Sequence, residues 1–137
     1  MILVDTGPLV ALFDPADAWH QRCVERLRQI AQPLWTTTPV LTEAFHLLTP
    51  TSVGAKRLMD FVGEGALAVW FFDDASLARA FELIVRYGNV PMDLADASLV
   101  AAAEQLNVRR VFTIDRKDFD VYRIRRGHRH LAFEVLN

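Results

Sequence analysis

Asp5, Glu43, Asp96 and Asp115 stand where hydrophobic segments stop or turn: after Ile2-Leu3-Val4, inside Val40–Leu48, inside Leu94–Leu106, and after Val111-Phe112-Thr113-Ile114. A chain that brings strand ends and helix starts to one edge converges all four carboxylates. They cannot all stay ionised there without a cation, because each negative charge disfavours ionisation of its neighbours. The chemistry this points to is a hard divalent ion held by oxygen ligands. Each acid also has an ordinary explanation. Asp5 and Asp115 fit Asx-turns or helix starts, and Glu43 fits the boundary of an apolar arc made by Val40, Leu41, Ala44, Phe45 and Leu48. Glu43 lies too far from Thr38 to close a capping box, which wants the acid three residues on.

Asp96 carries the sharpest argument. On a helix, Ala95, Leu99, Ala102 and Leu106 fall in a line, Asp96, Val100 and Ala103 continue the apolar arc, and Glu104 and Gln105 fall opposite. With Asp93 as N-cap, Asp96 sits in the first turn, where it favours the helix dipole. The cap accounts for the position but not for the apolar neighbours, since a carboxylate at a core edge needs a partner or a metal.

The elements that must position these acids alternate along the chain. Ile2–Val4 reads as a strand, and Gly7-Pro8 opens a helix that Asp14-Pro15 punctuates. Trp19, Cys23, Leu27 and Ile30 recur at helical spacing, and Gln32-Pro33 ends that helix. Leu34–Thr37 is a strand, Thr38-Pro39 the cap and first turn of a helix over Val40–Leu48, and Pro50 its stop. Helices over Ser52–Val62 and Asp74–Tyr87 flank a continuous apolar run, Leu67–Phe72, expected as a buried strand. Asp93–Leu106 is the clearest helix, and strands at Arg110–Ile114 and Leu131–Leu136 complete the chain. No repeat, low-complexity segment or linker interrupts residues 1–137, which read as a single domain. Strands alternating with helices predict a three-layer α/β/α sandwich with a central, mostly parallel sheet. In such sheets, ligand sites lie beyond the strand C-termini.

Composition bounds the function. The 137 residues are 52% hydrophobic, enough for a real core. A net charge of -2 and a pI near 6.0 exclude a strongly basic protein, so nucleic-acid binding needs a local patch. Arg109, Arg110, Arg116, Lys117, Arg123, Arg125, Arg126 and Arg129 supply one, against Asp115, Asp118, Asp120 and Glu134. A solvated face is the alternative use of that run. Cys23 is the only cysteine, so it forms no internal disulfide and suits a reducing compartment. With no basic leader and no apolar run of the ~18 residues a membrane span requires, a soluble, cytoplasmic chain is expected.

At this point the motifs resemble those of PIN-domain nucleases. The resemblance is carried by Val4-Asp5-Thr6-Gly7-Pro8-Leu9, Glu43 in a second helix, Asp93-Leu94-Ala95-Asp96-Ala97-Ser98-Leu99, and Thr113-Ile114-Asp115-Arg116-Lys117-Asp118-Phe119. It covers essentially the whole chain. The size, the N-terminal strand and the Thr-x-Asp-x-x-x-Phe ending are most similar to VapC toxins of VapBC toxin-antitoxin pairs, which often carry an Asp-rich turn where Asp14, Asp17 and His20 stand. The resemblance implies a toxin-type endoribonuclease in which Asp5, Glu43, Asp96 and Asp115 form the acidic quartet that binds Mg²⁺ or Mn²⁺. Asp5 and Asp96 are then expected as direct ligands, with Asp115 and Glu43 completing the shell or orienting metal-bound water. Thr6 and Thr113 would hydrogen-bond the carboxylates from behind, and Asp93 is a fifth acid that either joins them or only caps its helix. Arg116 and Lys117, beside Asp115, would meet phosphates flanking the scissile bond, with Arg109, Arg110 and Arg123–Arg129 extending the track or binding an acidic antitoxin segment. The implied partners are RNA, a small VapB-like antitoxin and a second copy in a homodimer, with no membrane. The Ser52–Tyr87 segment, through Leu58, Phe61, Val62, Leu77, Phe81 and Ile84, is the candidate dimer surface, with a core role as its alternative.

Three other functions compete. A metal-independent ribonuclease needs paired histidines, and His20, His46, His128 and His130 are scattered. A receiver domain has acidic strand ends, here Asp5 and Asp73-Asp74 with Lys117, but expects paired acids after its first strand and leaves Glu43 and Asp96 without purpose. A non-catalytic PIN-like module that binds RNA or protein shares the fold, and the intact quartet argues against it.

Overall fold

The computed structural model describes residues Met1–Asn137. In chain order its elements are β1 (Ile2–Val4), α1 (Thr6–Phe13), α2 (His20–Gln29), β2 (Leu34–Thr37), α3 (Thr38–Leu48), α4 (Val53–Gly63), β3 (Leu67–Trp70), α5 (Asp74–Arg86), α6 (Leu94–Leu106), β4 (Arg110–Phe112), α7 (Arg116–Val121), β5 (Arg123–Arg126), β6 (Arg129–Ala132) and β7 (Glu134–Leu136). Local chemistry sets most of the helix starts. Asp5 caps α1 by accepting from Thr6 N at 2.8 Å, Ser52 caps α4 by accepting from Ala55 N at 3.0 Å, and Asp73 and Ser76 form a capping box on α5. The cap of α3 is Thr37, which accepts from Val40 N at 3.4 Å, one residue before the expected Thr38. Pro39 then falls in the first turn, where no N–H is missed.

Five strands form one sheet in the order β3-β2-β1-β4-β7, and every pairing in it is parallel. The three apolar residues of β1, at the centre, are all buried. Right-handed crossovers require the connections β1-β2-β3 to lie on one face and the return from β3 to β4 on the other. Packing agrees: α1 contacts α2, α3 and α4, whereas α5 packs on α6. The result is the expected α/β/α sandwich, with the winding reversing between β1 and β4. Ligand crevices of open α/β sheets form at this reversal.

Helix α6 departs from the amphipathic expectation. Ala95 and Ala97–Ala103 are all buried, because α3, α5, β2 and β5 cover it from several sides. A helix covered all round is apolar all round, and its alanines let those neighbours approach closely. Asn107 ends it in the left-handed region at φ 61°.

Three expectations at strand level change. The run Leu67–Phe72 forms a strand only as far as Trp70, and Ala68 and Val69 are half-buried because β3 is an edge strand. The segment Leu131–Leu136 is split at the buried Phe133. Before it, β6 pairs antiparallel with β5; after it, β7 joins the main sheet beside β4. Helix α7 was foreshadowed only by the reading of Asp115 as a helix start, and the β5-β6 hairpin was not expected. Phe119 organises this region, meeting Tyr122 and Phe133 edge to face at centroid distances of 5.2 and 5.3 Å. Such aromatic pairs add stabilisation beyond the area they bury.

The candidate dimer surface divides. Leu58 is fully buried, and Phe61, Val62 and Ile84 pack against the core, so the core role wins for these four. Phe81 and Val85 on α5 remain exposed. Cys23 is buried and unpaired, and no helix is long and apolar enough to cross a membrane.

Two glycines of α4 give stability changes of opposite sign. A Cβ on Gly54 would overlap the Phe13 carbonyl oxygen at the end of α1, whereas a Cβ on Gly63 meets nothing within 4 Å. Gly54→Ala is expected to lower the free energy of unfolding by about 1–3 kcal/mol through forced displacement of α1. Gly63→Ala should raise it by roughly 0.5 kcal/mol by restricting the unfolded chain. Urea denaturation of both variants checks the pair, and a neutral Gly54→Ala would show that α1 and α4 are not in close packing.

Candidate active site

The crevice between β1 and β4 collects the acids. Asp5 follows β1 directly and is buried at 7% exposure. One carboxylate oxygen accepts from Thr6 N at 2.8 Å and the other from Thr113 Oγ1 at 2.8 Å. Thr113 also accepts from Asp115 N at 2.9 Å, so one hydroxyl ties the ends of β1 and β4 together. The expected hydrogen bond to a carboxylate is therefore made by the Thr113 side chain but not by that of Thr6. Thr6 contributes its backbone N–H, and its buried Oγ1 has no hydrogen-bond partner.

Asp96 enters from the first turn of α6. Its backbone N–H is taken by the cap Asp93 at 2.8 Å, and its Oδ2 accepts from the Tyr122 hydroxyl at 2.8 Å. Asp93 is thus a helix cap, as expected, while its carboxylate stays exposed at the mouth of the same cleft. Glu43 projects from α3 and Asp115 stands at the start of α7, where it makes no side-chain cap. All four sequence-expected acids line a cleft of about 600 Å³, together with Asp17, Asp93 and Asp118.

Asp118 was not singled out from sequence. Its signal was its place three residues after Asp115, which on α7 puts both acids on one side. Asp17 joins from the turn before α2, where its side chain also accepts from Trp19 N at 2.8 Å.

No Lys, Arg, His or Cys lines this cleft, and none of its acids has an ion-pair partner. The charges therefore act on one another. Burial raises the Asp5 carboxyl to about 6, against two hydrogen bonds that favour ionisation, and Glu43 and Asp115 add to the rise. Asp96 is raised to about 8, first by burial and then by Asp5, in spite of the Tyr122 hydrogen bond. Burial and Asp93 raise Glu43, while burial and the contact with Asp115 raise Asp118. Tyr122 is pushed up in turn by burial and by its bond to Asp96, so it remains a donor.

The donor set fits a hard divalent cation. It consists of carboxylate oxygens, beside an unpartnered buried threonine hydroxyl. The set is open, since no three of the chain's His, Cys, Asp and Glu groups close around a point by themselves. Mg²⁺ tolerates this because it commonly takes one or two carboxylates and keeps several waters.

Other sequence candidates lie elsewhere. Arg116 and Lys117 are exposed at the start of α7, next to Asp115. Arg123 is structural: its Nη1 donates to the carbonyls of Asp120, Val121 and Tyr122 at 2.7, 3.2 and 2.9 Å, closing α7. Arg109, Arg110 and Arg126 line a separate cavity at the N-terminal ends of β1 and β4, so they do not extend a track from the acidic cleft. Strand geometry places Arg110 ~15 Å from Asp115. The histidines form no pair. His20 Nδ1 lies 2.6 Å from Ala11 O, His46 borders a neighbouring groove, and His128 and His130 sit on the hairpin. Asp73 is consumed as a helix cap by Ser76 and does not line the acidic cleft, which removes the receiver arrangement.

A PIN domain model matches residues 2–125. Ribonuclease VapC26 of Mycobacterium tuberculosis is 28% identical over 125 residues, spanning 89% of this chain and 92% of the relative. Among solved structures, VapC20 of Mycobacterium tuberculosis, described as a Sarcin-Ricin loop cleaving toxin, superposes with a TM-score of 0.74 at 20% identity, covering 86% of this chain and 92% of that one. A toxin-antitoxin complex from Klebsiella pneumoniae gives a TM-score of 0.68 at 17% identity, covering 88% and 92%. These likenesses show the same fold.

The raised carboxyls set a pH dependence. Asp5 and Asp96 hold protons in the folded state at pH values where the unfolded chain, with carboxyls near 3.8, has released them. The folded state then binds more protons than the unfolded, so stability of the metal-free protein falls as pH rises from about 4 through about 8. Melting temperatures in EDTA should trace that fall. Asp96→Asn, which cannot ionise, should match the unmodified chain below about pH 4 and exceed it by a margin that grows up to about pH 8. Parallel curves for the two proteins would show that Asp96 is not under this pressure.

Proposed function

The chain belongs to the PIN-domain family, and from that premise we propose that it is a toxin-type, Mg²⁺- or Mn²⁺-dependent endoribonuclease held in check by a small VapB-like antitoxin. The observation that carries this reading is the crowding of unpaired carboxylates in the crevice beyond β1 and β4. The names of its relatives support the substrate and the partner: one is a ribonuclease, and another was solved as a toxin-antitoxin complex.

In this reading Asp5 and Asp96 hold the ion, with Asp115 and Glu43 completing its surroundings through water. An ion held there would ease loss of a proton from water, so that its oxygen can attack phosphorus, and would neutralise charge on the leaving oxygen. The chain's own residues have separate tasks. Thr113 and Thr6 N–H fix both oxygens of Asp5, and Tyr122 fixes one oxygen of Asp96, leaving its Oδ1 free to face the cleft. Asp118, which burial and the neighbouring Asp115 raise above the usual carboxylate range, can accept a proton from an attacking water. Arg116 and Lys117 hold the RNA backbone beside the cleft. We further assign the protein to the cytoplasm and expect a homodimer, for which the exposed Phe81 and Val85 on α5 offer apolar surface.

Cleavage of a structured RNA with and without Mg²⁺ or Mn²⁺ tests the proposal. Asp5→Asn and Asp96→Asn are each expected to lower kcat/KM on the order of a hundredfold, about 2.7 kcal/mol of transition-state stabilisation. Activity that survives both EDTA and these substitutions would refute the metal-nuclease reading. RNA binding without cleavage under every condition would favour a non-catalytic PIN-like module.

A further inference from the structure

The edge of the sheet opposite the acidic cleft carries the reverse charge. Arg109 and Arg110 precede and open β4, and Arg126 ends β5. Their side chains line a cavity of about 320 Å³ at the N-terminal ends of the strands, with Glu134 as its only acid. Glu134 is engaged by Arg110 Nε at 3.1 Å, and Arg109 Nε is fixed on the Ala132 carbonyl at 3.1 Å. The remaining guanidinium nitrogens have no assigned partner in these contacts. Arg126 adds a specific signal: its Nη2 is buried and has no acceptor. A buried donor without an acceptor is rare and calls for an explanation.

The hairpin gives a second, independent observation. Arg126 lies directly opposite Arg129 in the β5-β6 pairing, and Arg125 opposite His130. Directly opposed like charges destabilise an antiparallel pair. The turn between Arg126 and Arg129 forces them together, with Gly127 at φ 60°. Arg126 and Arg129 share the face of the hairpin that carries the buried Ile124, where a hairpin serving only to cover α6 would place apolar residues. An anion bound between Arg126 and Arg129 relieves the repulsion.

We infer that the β5-β6 hairpin and the adjoining cavity form a second RNA-docking site, which holds backbone phosphate at the edge of the sheet remote from the acidic cleft. The arginine forks suit phosphate oxygens. Several cations set along one edge suit a polyanion more than a single small anion. The proposal rests on RNA as the substrate of the acidic cleft, and it deepens that reading. Because the two sites lie ~15 Å apart, an RNA that fills both must extend on the order of five nucleotides between them, at ~3.4 Å per stacked step. The preferred substrate is then a stem-loop or longer folded RNA.

Fluorescence anisotropy of a labelled RNA stem-loop in EDTA, where neither metal nor cleavage intervenes, tests the site in the full chain. Arg110→Gln combined with Arg129→Gln, both at exposed positions, should weaken binding about tenfold or more. It should also reduce the slope of log affinity against log salt by about 2, one for each lost phosphate contact. Arg126→Gln, made separately, should weaken binding in the same direction, and Arg57→Gln on exposed α4 should leave it unchanged. With Mg²⁺ or Mn²⁺, the double variant should show raised KM for the stem-loop. Unchanged affinity and slope in a folded double variant would overturn the proposal. So would displacement of the RNA by oligoglutamate at equal charge, which would mark an acidic protein partner, or by inorganic phosphate at equal charge, which would mark a single-anion site. Hairpin-dependent binding without cleavage by any form would remove the nuclease reading and leave this site standing.

Discussion

Asp5 is a charged group placed where the fold leaves it no water. Strand β1 is the centre of the sheet, so the residue that ends it is covered by the neighbours that cover β1. Two hydrogen bonds to its carboxylate, each worth roughly 1.5–3 kcal/mol to a charged group, do not offset burial, because its carboxyl still rises to about 6. The neighbouring acids follow from the same constraint. Asp96 reaches the cleft from α6 and feels Asp5 as its largest electrostatic neighbour, and Tyr122 is held protonated by both burial and Asp96. Leaving a buried charge without a partner costs several kcal/mol. At neutral pH the metal-free site therefore keeps a proton among its carboxylates, on Asp96, and this proton is what a bound cation would displace.

How legible this was in the sequence depended on the range of the interactions involved. Local signals located most elements: Asp93 as the cap of α6 and Pro39 at the start of α3 were readable because caps act within four residues. The convergence of Asp5, Glu43, Asp96 and Asp115 was legible through topology, since parallel strands place their C-termini on one edge. What failed was decided by contacts between distant residues. Phe133 interrupts an apolar run that periodicity cannot distinguish from one strand, and it does so because it packs on Phe119. Helix α7 is short and polar, with no apolar repeat to announce it. Asp96 was found by an amphipathic argument that does not describe α6, which is buried on almost every side. The inference still led to a residue that lines the acidic cleft, because a carboxylate among alanines is unusual on any face.

The basic residues show how order along the chain misleads. Arg109, Arg110, Arg116 and Lys117 lie within nine positions and read as one track. Yet β4 separates them, and a strand carries its two ends to opposite edges of a sheet. Arg123 further illustrates that a cation in a basic run can be spent on backbone carbonyls.

A chain of net charge -2 thus combines a strongly acidic edge and a basic one. At physiological salt the screening length is about 8 Å, shorter than the ~15 Å between Arg110 and Asp115 estimated from strand geometry. The basic edge therefore cannot neutralise the acidic cleft through solvent, and each acts on an approaching polyanion as a local field. An RNA phosphate brought to the cleft alone meets like charge, softened only by Arg116, Lys117 and whatever cation the carboxylates hold. One already held at the far edge meets that repulsion as a tethered segment at high effective concentration. On the proposed reading, the separation of charge by β4 has a functional logic: acids crowded enough to hold a metal would leave anchorage of the substrate to a surface where crowding of acids is absent.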